Sequence, residues 1–428
     1  MMNSSTVAAK GKLNFGKQGW MVVVLQACIF WVVAGCTTHG LNIILPGLSE
    51  NYHLDYNQLL MAATPAAWLA IPAAPFCSWL IQKKGIKFNL IFCLIGCIIS
   101  YGLLGYCSSI TSFVICFGLE SFFATGFGYI GGTALIANWF VKKQSLALGF
   151  CTFGQTFSSA FFVPVLAWSF ATFTFQNGFW LMSVLMAIIL FVVIFFVANR
   201  PEDVGLLPDN EEPSLLSQSE QEKVSDEYPD LNFRTLLKMK DIWLIGTVRG
   251  FIYIVLVGVT AQIIPRLVSL GLELNQAITY MSGAALFGTF GAYTWGWLND
   301  KLGIKVAFSF YTIWWIIAII LNIIPESQTA LLVSLGMIGL ALPGATNYCT
   351  AFTSAKFPRS AYAKAMGIAH PIESVLRCCA FSIVAFGLAY LGGYTGAYLL
   401  LIAIGVITII LIWLTNLTPL GPVQSNRK

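Results

Sequence analysis

The sequence predicts an all-α integral membrane protein with twelve transmembrane helices, arranged as two pseudo-symmetric bundles of six. The first observation is composition: 57% of the residues are hydrophobic and 10% are charged, whereas a typical soluble domain has about 25% charged residues. The second is a series of long apolar runs on either side of one polar stretch. The third is a short phrase that occurs once in each half. So much apolar surface has to face lipid rather than water.

The apolar runs define the predicted spans, because a helix needs about 20 apolar residues to cross roughly 30 Å of hydrocarbon. In the first half the spans are residues 18–45, 57–81, 88–107, 110–138, 145–170 and 176–199. In the second half they are residues 241–265, 276–298, 306–324, 329–355, 363–390 and 393–416. We expect a cytoplasmic tail at 1–17, a first bundle at 18–199, a cytoplasmic linker at 200–240, a second bundle at 241–416 and a cytoplasmic tail at 417–428.

The basic residues predict which side of the membrane each loop faces. With the N-terminus inside, all Lys and Arg residues except Arg249, Arg266 and Arg377 fall in cytoplasmic tails or loops, as the positive-inside rule requires. Arg266 falls in a predicted outer loop, and the other two lie within spans. The net charge of +5 therefore reflects topology, and we expect no nucleic-acid partner. We place the protein in the inner (plasma) membrane with both termini cytoplasmic.

Signatures of cofactor chemistry are missing from the sequence. The eleven cysteines lie almost entirely within spans, without a C-x-x-C pair or a partner histidine, so we expect packing thiols and no metal site. Gly126, Gly128 and Gly131 form a G-x-G-x-x-G inside an apolar span, where they favour close helix packing over dinucleotide binding. The sequence has no G-x-x-x-x-G-K-[ST] loop for ATP. We expect no cofactor and no enzymatic activity.

The linker is polar, with a surface helix expected near 231–240.

A few ionisable residues lie inside the predicted spans, where a charge costs about 3 kcal/mol. Three of them, His370, Glu373 and Arg377, are spaced i, i+3, i+7 and share one face of the eleventh span. The others are His39 in the first span, Glu120 in the fourth and Arg249 in the seventh. The third, sixth, ninth and twelfth spans have none in their apolar interiors. This selective distribution predicts a functional role for at least some of these groups.

Two interpretations of the buried charges remain open. In the first, Glu373 and Arg377 pair at i, i+4 and only neutralise each other. In the second, Arg249 or Arg377 binds an anionic substrate through the two parallel hydrogen bonds that a guanidinium offers a carboxylate. Glu373 then neutralises Arg377 in the empty site and takes up a proton when substrate arrives. Glu120 and His370 are further proton-coupling candidates.

Polar uncharged residues near mid-depth add candidates for substrate binding. Each can donate a hydrogen bond to a substrate oxygen, or can hold two helices together, and the sequence does not decide between these roles. These residues are Gln155, Tyr253, Asn347 and Tyr348.

The repeated phrase resembles a known loop signature. Its second copy, residues 296–305, reads GWLNDKLGIK and resembles the G-x-L-x-D-R-x-G-R loop of the major facilitator superfamily. The first copy, residues 78–87, reads SWLIQKKGIK, with Ser78 and Gln82 in place of the first Gly and the Asp. This resemblance implies the major facilitator fold and a loop that latches the cytoplasmic ends of helices. The implied gate residues are Gly296, Leu298, Asp300, Lys301, Gly303 and Lys305, with Lys83 and Gly85 in the first copy.

Residues 138–149 and 200–210 carry a narrower resemblance. They read NWFVKKQSLALG and RPEDVGLLPDN, and are similar to segments of oxalate:formate antiporter-like and monocarboxylate-porter-like facilitators. This implies transport of small organic anions by proton symport or by anion exchange. One departure is that such relatives commonly place a basic residue in the eighth span, whereas residues 276–298 carry no charge.

Together these observations predict a secondary transporter of a mono- or dicarboxylate that works by alternating access between two halves. We expect protons or a counter-anion as the coupled solute, the lipid bilayer as surroundings, and a monomer. One alternative is an exporter or a carrier of neutral or amphipathic solutes, in which Glu373 and Arg377 form a structural pair. A membrane sensor on a transporter scaffold is the alternative outside transport.

Overall fold

The protein is helical throughout the described part of the chain. The structure is a computed structural model that describes residues 15–140, 144–210, 233–324, 327–357 and 359–419, and over these ranges every regular element is a helix. Within these ranges, ten continuous helical stretches are long and apolar enough to cross a membrane, and the bent pair Gln328–Ala341 and Gly344–Lys356 adds an eleventh when it is counted as one span. The protein is therefore a multi-pass membrane protein, as the composition predicts.

The described residues of the first half of the chain form ten α-helices. They are α1 (Gly16–Ala34), α2 (Leu41–Tyr52), α3 (Tyr56–Trp68), α4 (Ala73–Lys84), α5 (Ile86–Leu104), α6 (Ile110–Ala124), α7 (Thr133–Trp139), α8 (Gln144–Phe157), α9 (Val163–Thr172) and α10 (Phe175–Phe196). Three wider, π-helical turns join some of them end to end, a feature that in many proteins marks functional sites. These turns are Gly35–His39 between α1 and α2, Thr125–Gly132 between α6 and α7, and Ser158–Phe162 between α8 and α9.

Ten more α-helices follow. They are α11 (Phe233–Lys238), α12 (Lys240–Thr260), α13 (Ile263–Ser269), α14 (Leu274–Phe287), α15 (Gly291–Leu302), α16 (Ile304–Ile323), α17 (Gln328–Ala341), α18 (Gly344–Lys356), α19 (Arg359–Tyr390) and α20 (Tyr394–Leu414). The first of them lies where the sequence predicts a helix near the end of the linker. The predicted eighth span is split between α14 and α15, and the predicted tenth is the bent pair α17 and α18, which meet at 42°.

The second predicted span is also broken, between α3 and α4. Pro72 and Pro75 have no backbone N–H to continue the helical hydrogen bonds, so the helix ends at Trp68 and restarts at Ala73.

The chain divides into two compact units, residues 1–53 with 69–214, and residues 54–68 with 215–428. The break therefore falls at a unit boundary: α3 packs in the second unit, although the sequence places its residues in the first bundle.

Hydrogen bonds fix α3 against α19 within the second unit. The Thr64 hydroxyl donates to the Cys378 carbonyl oxygen at 2.8 Å and accepts from the Ser382 backbone N–H at 3.0 Å. Those two groups are the i and i+4 partners of one regular helical turn, so the hydroxyl bridges the turn. The Trp68 indole N–H donates to the Val375 carbonyl oxygen at 3.1 Å.

The repeated phrase forms the same turn twice. Gly85 and Gly303 end α4 and α15 with φ of 86° and 74°, a backbone conformation that disfavours any residue with a Cβ. The ammonium of Lys83 lies 4.6 Å from the ring centre of the tryptophan four residues earlier, and that of Lys301 lies 4.3 Å from its own. The sequence repeat is thus a structural repeat.

The three glycines of the fourth predicted span serve helix packing, as the sequence analysis favours. A Cβ added to Gly126 would lie 2.7 Å from the sulfur atoms of Cys77 and Cys93, and one added to Gly131 would lie 2.7 Å from the Asn89 amide nitrogen. Any larger residue at these positions would push neighbouring helices away.

Candidate functional site

Two glycines bring α12 and α19 into close contact in the second unit. A Cβ added to Gly246 would lie 3.0 Å from Cβ of Ile372, and one added to Gly250 would lie 2.6 Å from Cβ of Leu376. Distances below about 3.0 Å are not tolerated between real Cβ atoms. A side chain at Gly250 would therefore require the helices to shift, and Arg249 lies between the two glycines on the same helix.

The close approach places Arg249 in an ion pair with Glu373. Its Nε and Nη2 atoms lie 2.7 Å and 2.5 Å from Oε2 of Glu373, and each residue is only 4% exposed. Its Nη1 donates to the Cys349 carbonyl oxygen at 2.7 Å and to the Thr353 hydroxyl at 3.0 Å. The guanidinium thus joins α12, α18 and α19, and the carboxylate offsets the cost of burying its charge.

The second oxygen of the Glu373 carboxylate faces a histidine that reaches the surface of the unit. His370 Nδ1 lies 3.6 Å from Oε1, and the His370 side chain is 44% exposed. The two residues are three apart on α19, and therefore lie on one helix face. The buried carboxylate of Glu373 is therefore in contact with a half-exposed imidazole.

The ion-pair partner of Glu373 in the structure lies on another helix. A pair of Glu373 and Arg377 within one helix is one of the two sequence interpretations, and the structure adds an ion pair between Glu373 and Arg249. The physical reason is the glycine contact, which brings the α12 guanidinium within hydrogen-bonding distance. Arg377 is half-buried one turn further along α19.

The uncharged candidates of the second unit separate into two groups. Tyr253, one turn after Arg249, is half-buried with its hydroxyl 3.1 Å from the Thr346 hydroxyl, and Asn347 is exposed on α18. Tyr348 is buried instead: its hydroxyl donates to the Trp295 carbonyl oxygen at 3.1 Å. This hydrogen bond joins α18 to α15, so Tyr348 contributes to the packing of these helices.

Two other candidates lie in the first unit. Gln155 is half-buried on α8. Glu120 is completely buried on α6, where its Oε2 accepts from the Ser121 hydroxyl at 3.3 Å. Its Oε1 has no hydrogen-bond partner among the described residues. His39, also buried in this unit, has Nδ1 2.8 Å from the Ser159 hydroxyl, a contact that joins two π-helical turns.

The predicted gate residues lie at the ends of α4 and α15. Asp300 is exposed, and Gly296 and Leu298 are half-buried. The ammonium of Lys305 donates to the Trp413 carbonyl oxygen at 3.4 Å.

Two basic residues that the sequence assigns to loops are buried in the second unit. Lys356, at the end of α18, is 5% exposed, and its ammonium lies 3.0 Å from Oδ2 of Asp241 in the first turn of α12. Arg266 is not in an exposed outer loop but within α13, buried by Asn322 and two tyrosines. A hydropathy pattern cannot detect the burial of these two side chains, because the residues that surround them belong to helices that are distant in the sequence.

An all-helical, multi-pass chain with an internal repeat and a buried ion pair is typical of secondary transporters. The chain belongs to the Major Facilitator Superfamily, whose profile matches residues 24–305. This family agrees with the prediction of a membrane transporter rather than an enzyme.

Individual relatives support the same fold. Monocarboxylate transporter 14 of Mus musculus is 20% identical over 214 residues, which are 50% of this chain and 42% of that protein. The chain thus matches less than half the length of this relative. Among solved structures, a D-xylose-proton symporter has a TM-score of 0.69 at 15% identity, covering 94% of this chain and 97% of that one. A bacterial homolog of the human lysosomal transporter Spinster has a TM-score of 0.67 at 13% identity, covering 92% and 96%.

Proposed function

We propose that this protein is a secondary active transporter that moves a small organic anion, a mono- or dicarboxylate, by alternating access with proton symport or anion exchange. The observation that carries the proposal is the buried pair of Arg249 and Glu373, whose carboxylate also contacts the half-exposed His370. The family supports the transport class. The name of the mouse relative, a monocarboxylate transporter, supports the carboxylate class.

In this mechanism the substrate carboxylate competes with Glu373 for the guanidinium of Arg249. A guanidinium binds a carboxylate through two parallel N–H···O bonds, and in this structure Nε and Nη2 both point at Glu373. Protonation of Glu373 removes its negative charge and releases these two donors to the substrate. Nη1 keeps its bonds to α18, so the guanidinium stays in place during the exchange.

The charge balance favours coupled movement. The empty site holds Arg⁺ and Glu⁻, and the loaded site holds Arg⁺, a substrate carboxylate and a neutral glutamic acid. Net charge is therefore unchanged when one monocarboxylate and one proton bind together. An uncompensated buried charge, by contrast, costs several kcal/mol. His370 is the proposed relay for the proton, and Tyr253, Asn347 and Arg377 are the proposed further contacts of the substrate.

The placement of the protein in the cell is part of the same proposal. We propose an inner (plasma) membrane location with both termini cytoplasmic, because the basic residues concentrate in one set of loops. The loop residues at the ends of α4 and α15 then lie on the cytoplasmic side. Glu120 and Gln155 are proposed as contributions of the first unit to coupling and to binding.

A carrier of neutral or amphipathic solutes is the second candidate. One observation favours it: Arg249 makes four contacts to three groups within its own unit. An arginine held in this way is also what a purely structural pair would look like.

Uptake by the purified protein in proteoliposomes separates the two candidates. With radiolabelled mono- and dicarboxylates, an inward proton gradient is expected to stimulate uptake. Glu373→Gln should lose this stimulation but keep exchange of internal for external anion, because the neutral amide leaves Arg249 available. Arg249→Gln should lower both activities roughly 10- to 100-fold, the value of a charge-assisted hydrogen bond.

Glu273→Gln is the matched control, since this glutamate is exposed at the start of α14. It should behave as the wild-type protein does. Unchanged gradient stimulation in Glu373→Gln would refute the coupling role of that carboxyl. Carboxylate uptake that survives in Arg249→Gln would show that the pair is structural.

A further inference from the structure

A second buried arginine lies outside the proposed transport site. Arg266, on α13, is 7% exposed. Its Nε lies 3.3 Å from the Asn322 side-chain oxygen, and its Nη2 donates to the Asn322 carbonyl oxygen at 2.9 Å. The guanidinium carbon lies 5.4 Å from the ring centre of Tyr394 and 6.0 Å from that of Tyr398. Both rings belong to α20, so Arg266 is enclosed by polar and aromatic groups of two other helices.

Among the described residues, no carboxylate forms an ion pair with this charge. Among the side chains that the structure describes, none of the acidic residues lies within 4.0 Å of Arg266, whereas Arg249 and Lys356 each have an acidic partner. Neutral acceptors and aromatic faces attract a guanidinium, but they leave its positive charge in place. A buried cation without a counter-ion is unfavourable by several kcal/mol, and therefore favours the binding of an anion.

Two buried hydrogen-bond donors in the same cluster also lack an acceptor. Gln262, four residues before Arg266, is 1% exposed; its Oε1 accepts from the hydroxyls of Tyr56 at 2.6 Å and Tyr394 at 3.4 Å. With the amide oriented in this way, its Nε2 has no partner among the described residues. The same is true of the completely buried Tyr398 hydroxyl. Buried donors are almost always satisfied, so each of these needs an acceptor.

We propose that Arg266, Gln262 and Tyr398 form a binding site for one small monovalent anion, separate from the pair of Arg249 and Glu373. The cluster supplies a positive charge, the unpaired amide N–H of Gln262 and the unpaired Tyr398 hydroxyl, a combination that favours an anion over a cation. Tyr394 connects the three residues, since its hydroxyl contacts Gln262 and its ring faces Arg266. A free halide and the carboxylate of a small organic acid share this chemistry.

Occupancy of this site has a consequence for α3. The Tyr56 hydroxyl, at the start of α3, donates to the same amide whose other end is part of the anion site. An anion that fixes the orientation of the Gln262 amide therefore also stabilises the hydrogen bond from Tyr56, which holds α3 in the second unit. Binding and the docking of α3 are coupled through one side chain.

Thermal unfolding of the purified protein, followed by tryptophan fluorescence, tests the proposal. The midpoint is measured against increasing sodium chloride or sodium acetate, with sodium gluconate, a large organic anion, keeping ionic strength constant. A saturable rise of about 2–4 °C is expected with chloride. An equal rise with acetate identifies small carboxylates as ligands too, and a rise with chloride alone identifies a halide site.

Three variants test which residues are responsible for the rise in the unfolding midpoint with chloride. Arg266→Gln should abolish it, and Tyr398→Phe, which removes only one hydroxyl, should weaken the apparent chloride affinity about tenfold. Arg249→Gln should retain it, which separates this site from the transport site. The same chloride response in wild type and Tyr398→Phe, or its loss in Arg249→Gln, would overturn the proposal. So would the absence of any saturable response in the wild-type protein, because ordered water would then satisfy the donors.

Discussion

Arg249 combines a proposed role in transport with a contribution to the stability of the folded protein. Its guanidinium is almost fully buried and bound to groups on α18 and α19. Removing either member of such a pair leaves a buried charge without a partner, which is costly, whereas replacing both with apolar residues is often tolerated.

We expect Arg249→Leu to lower the free energy of unfolding by about 3–5 kcal/mol, because Glu373 is then buried alone. The double variant Arg249→Leu/Glu373→Leu should recover most of this loss. Thermal unfolding of the single and double variants measures both effects. A double variant as unstable as the sum of its single variants would show that the two residues do not act as a pair.

The buried Glu120 presents the opposite case, a carboxyl without a basic partner among the described residues. It is completely buried and receives a single hydrogen bond, from Ser121. A carboxylate in such surroundings is more stable with its proton bound. We expect infrared spectra near neutral pH to show the C=O stretch of a protonated carboxylic acid, and Glu120→Gln to remove it. If the band persists in Glu120→Gln, another residue carries the proton.

At the scale of the helix, the contact between α12 and α19 decides where the charges meet. Gly250 is the tightest point, because an added Cβ would lie 2.6 Å from Cβ of Leu376. We expect Gly250→Ala to force the helices apart, to destabilise the protein by about 1–3 kcal/mol and to lower carboxylate uptake. Uptake in proteoliposomes and thermal unfolding check the two effects.

Gly283→Ala, in the middle of α14, is the matched control for this prediction. A Cβ at that position would meet nothing within 4 Å. Because alanine has the higher helix propensity, this variant should be neutral or slightly more stable. Equal behaviour of the two variants would contradict the role of the close helix contact.

For the whole molecule, the sequence predicts the spans and the buried charges well, but not the partners of those charges. A charge inside an apolar run is visible because of its cost in lipid, so Arg249 and Glu373 are both recognisable. Their pairing depends on which helices touch, and that is decided by two glycines with no distinguishing pattern. The burial of Arg266 is not recognisable for a similar reason, since Asn322 and the tyrosines of α20 that surround it are far away in sequence. The break after Trp68 is recognisable from its prolines, but the packing of α3 in the second unit is not.

The predicted orientation is also a property of the whole chain. The proposed orientation, with the basic loops inside, puts both termini in the cytoplasm and Glu50 on the outside. In a bacterial host, green fluorescent protein fused after Lys428 should fluoresce, and alkaline phosphatase inserted after Glu50 should be active in the periplasm. Phosphatase activity from a C-terminal fusion would reverse the orientation.

The bridging hydroxyl of Thr64 makes α3 a separable part. While α3 is docked, this hydroxyl lies between the Cys378 carbonyl and the Ser382 amide. Those two backbone groups are each other's natural partners in an α-helix, so they can close on one another when the hydroxyl withdraws. Undocking of α3 then leaves neither the carbonyl nor the N–H group of this turn without a hydrogen-bond partner. Separation of α3 from α19 at this point therefore costs α19 no backbone hydrogen bond.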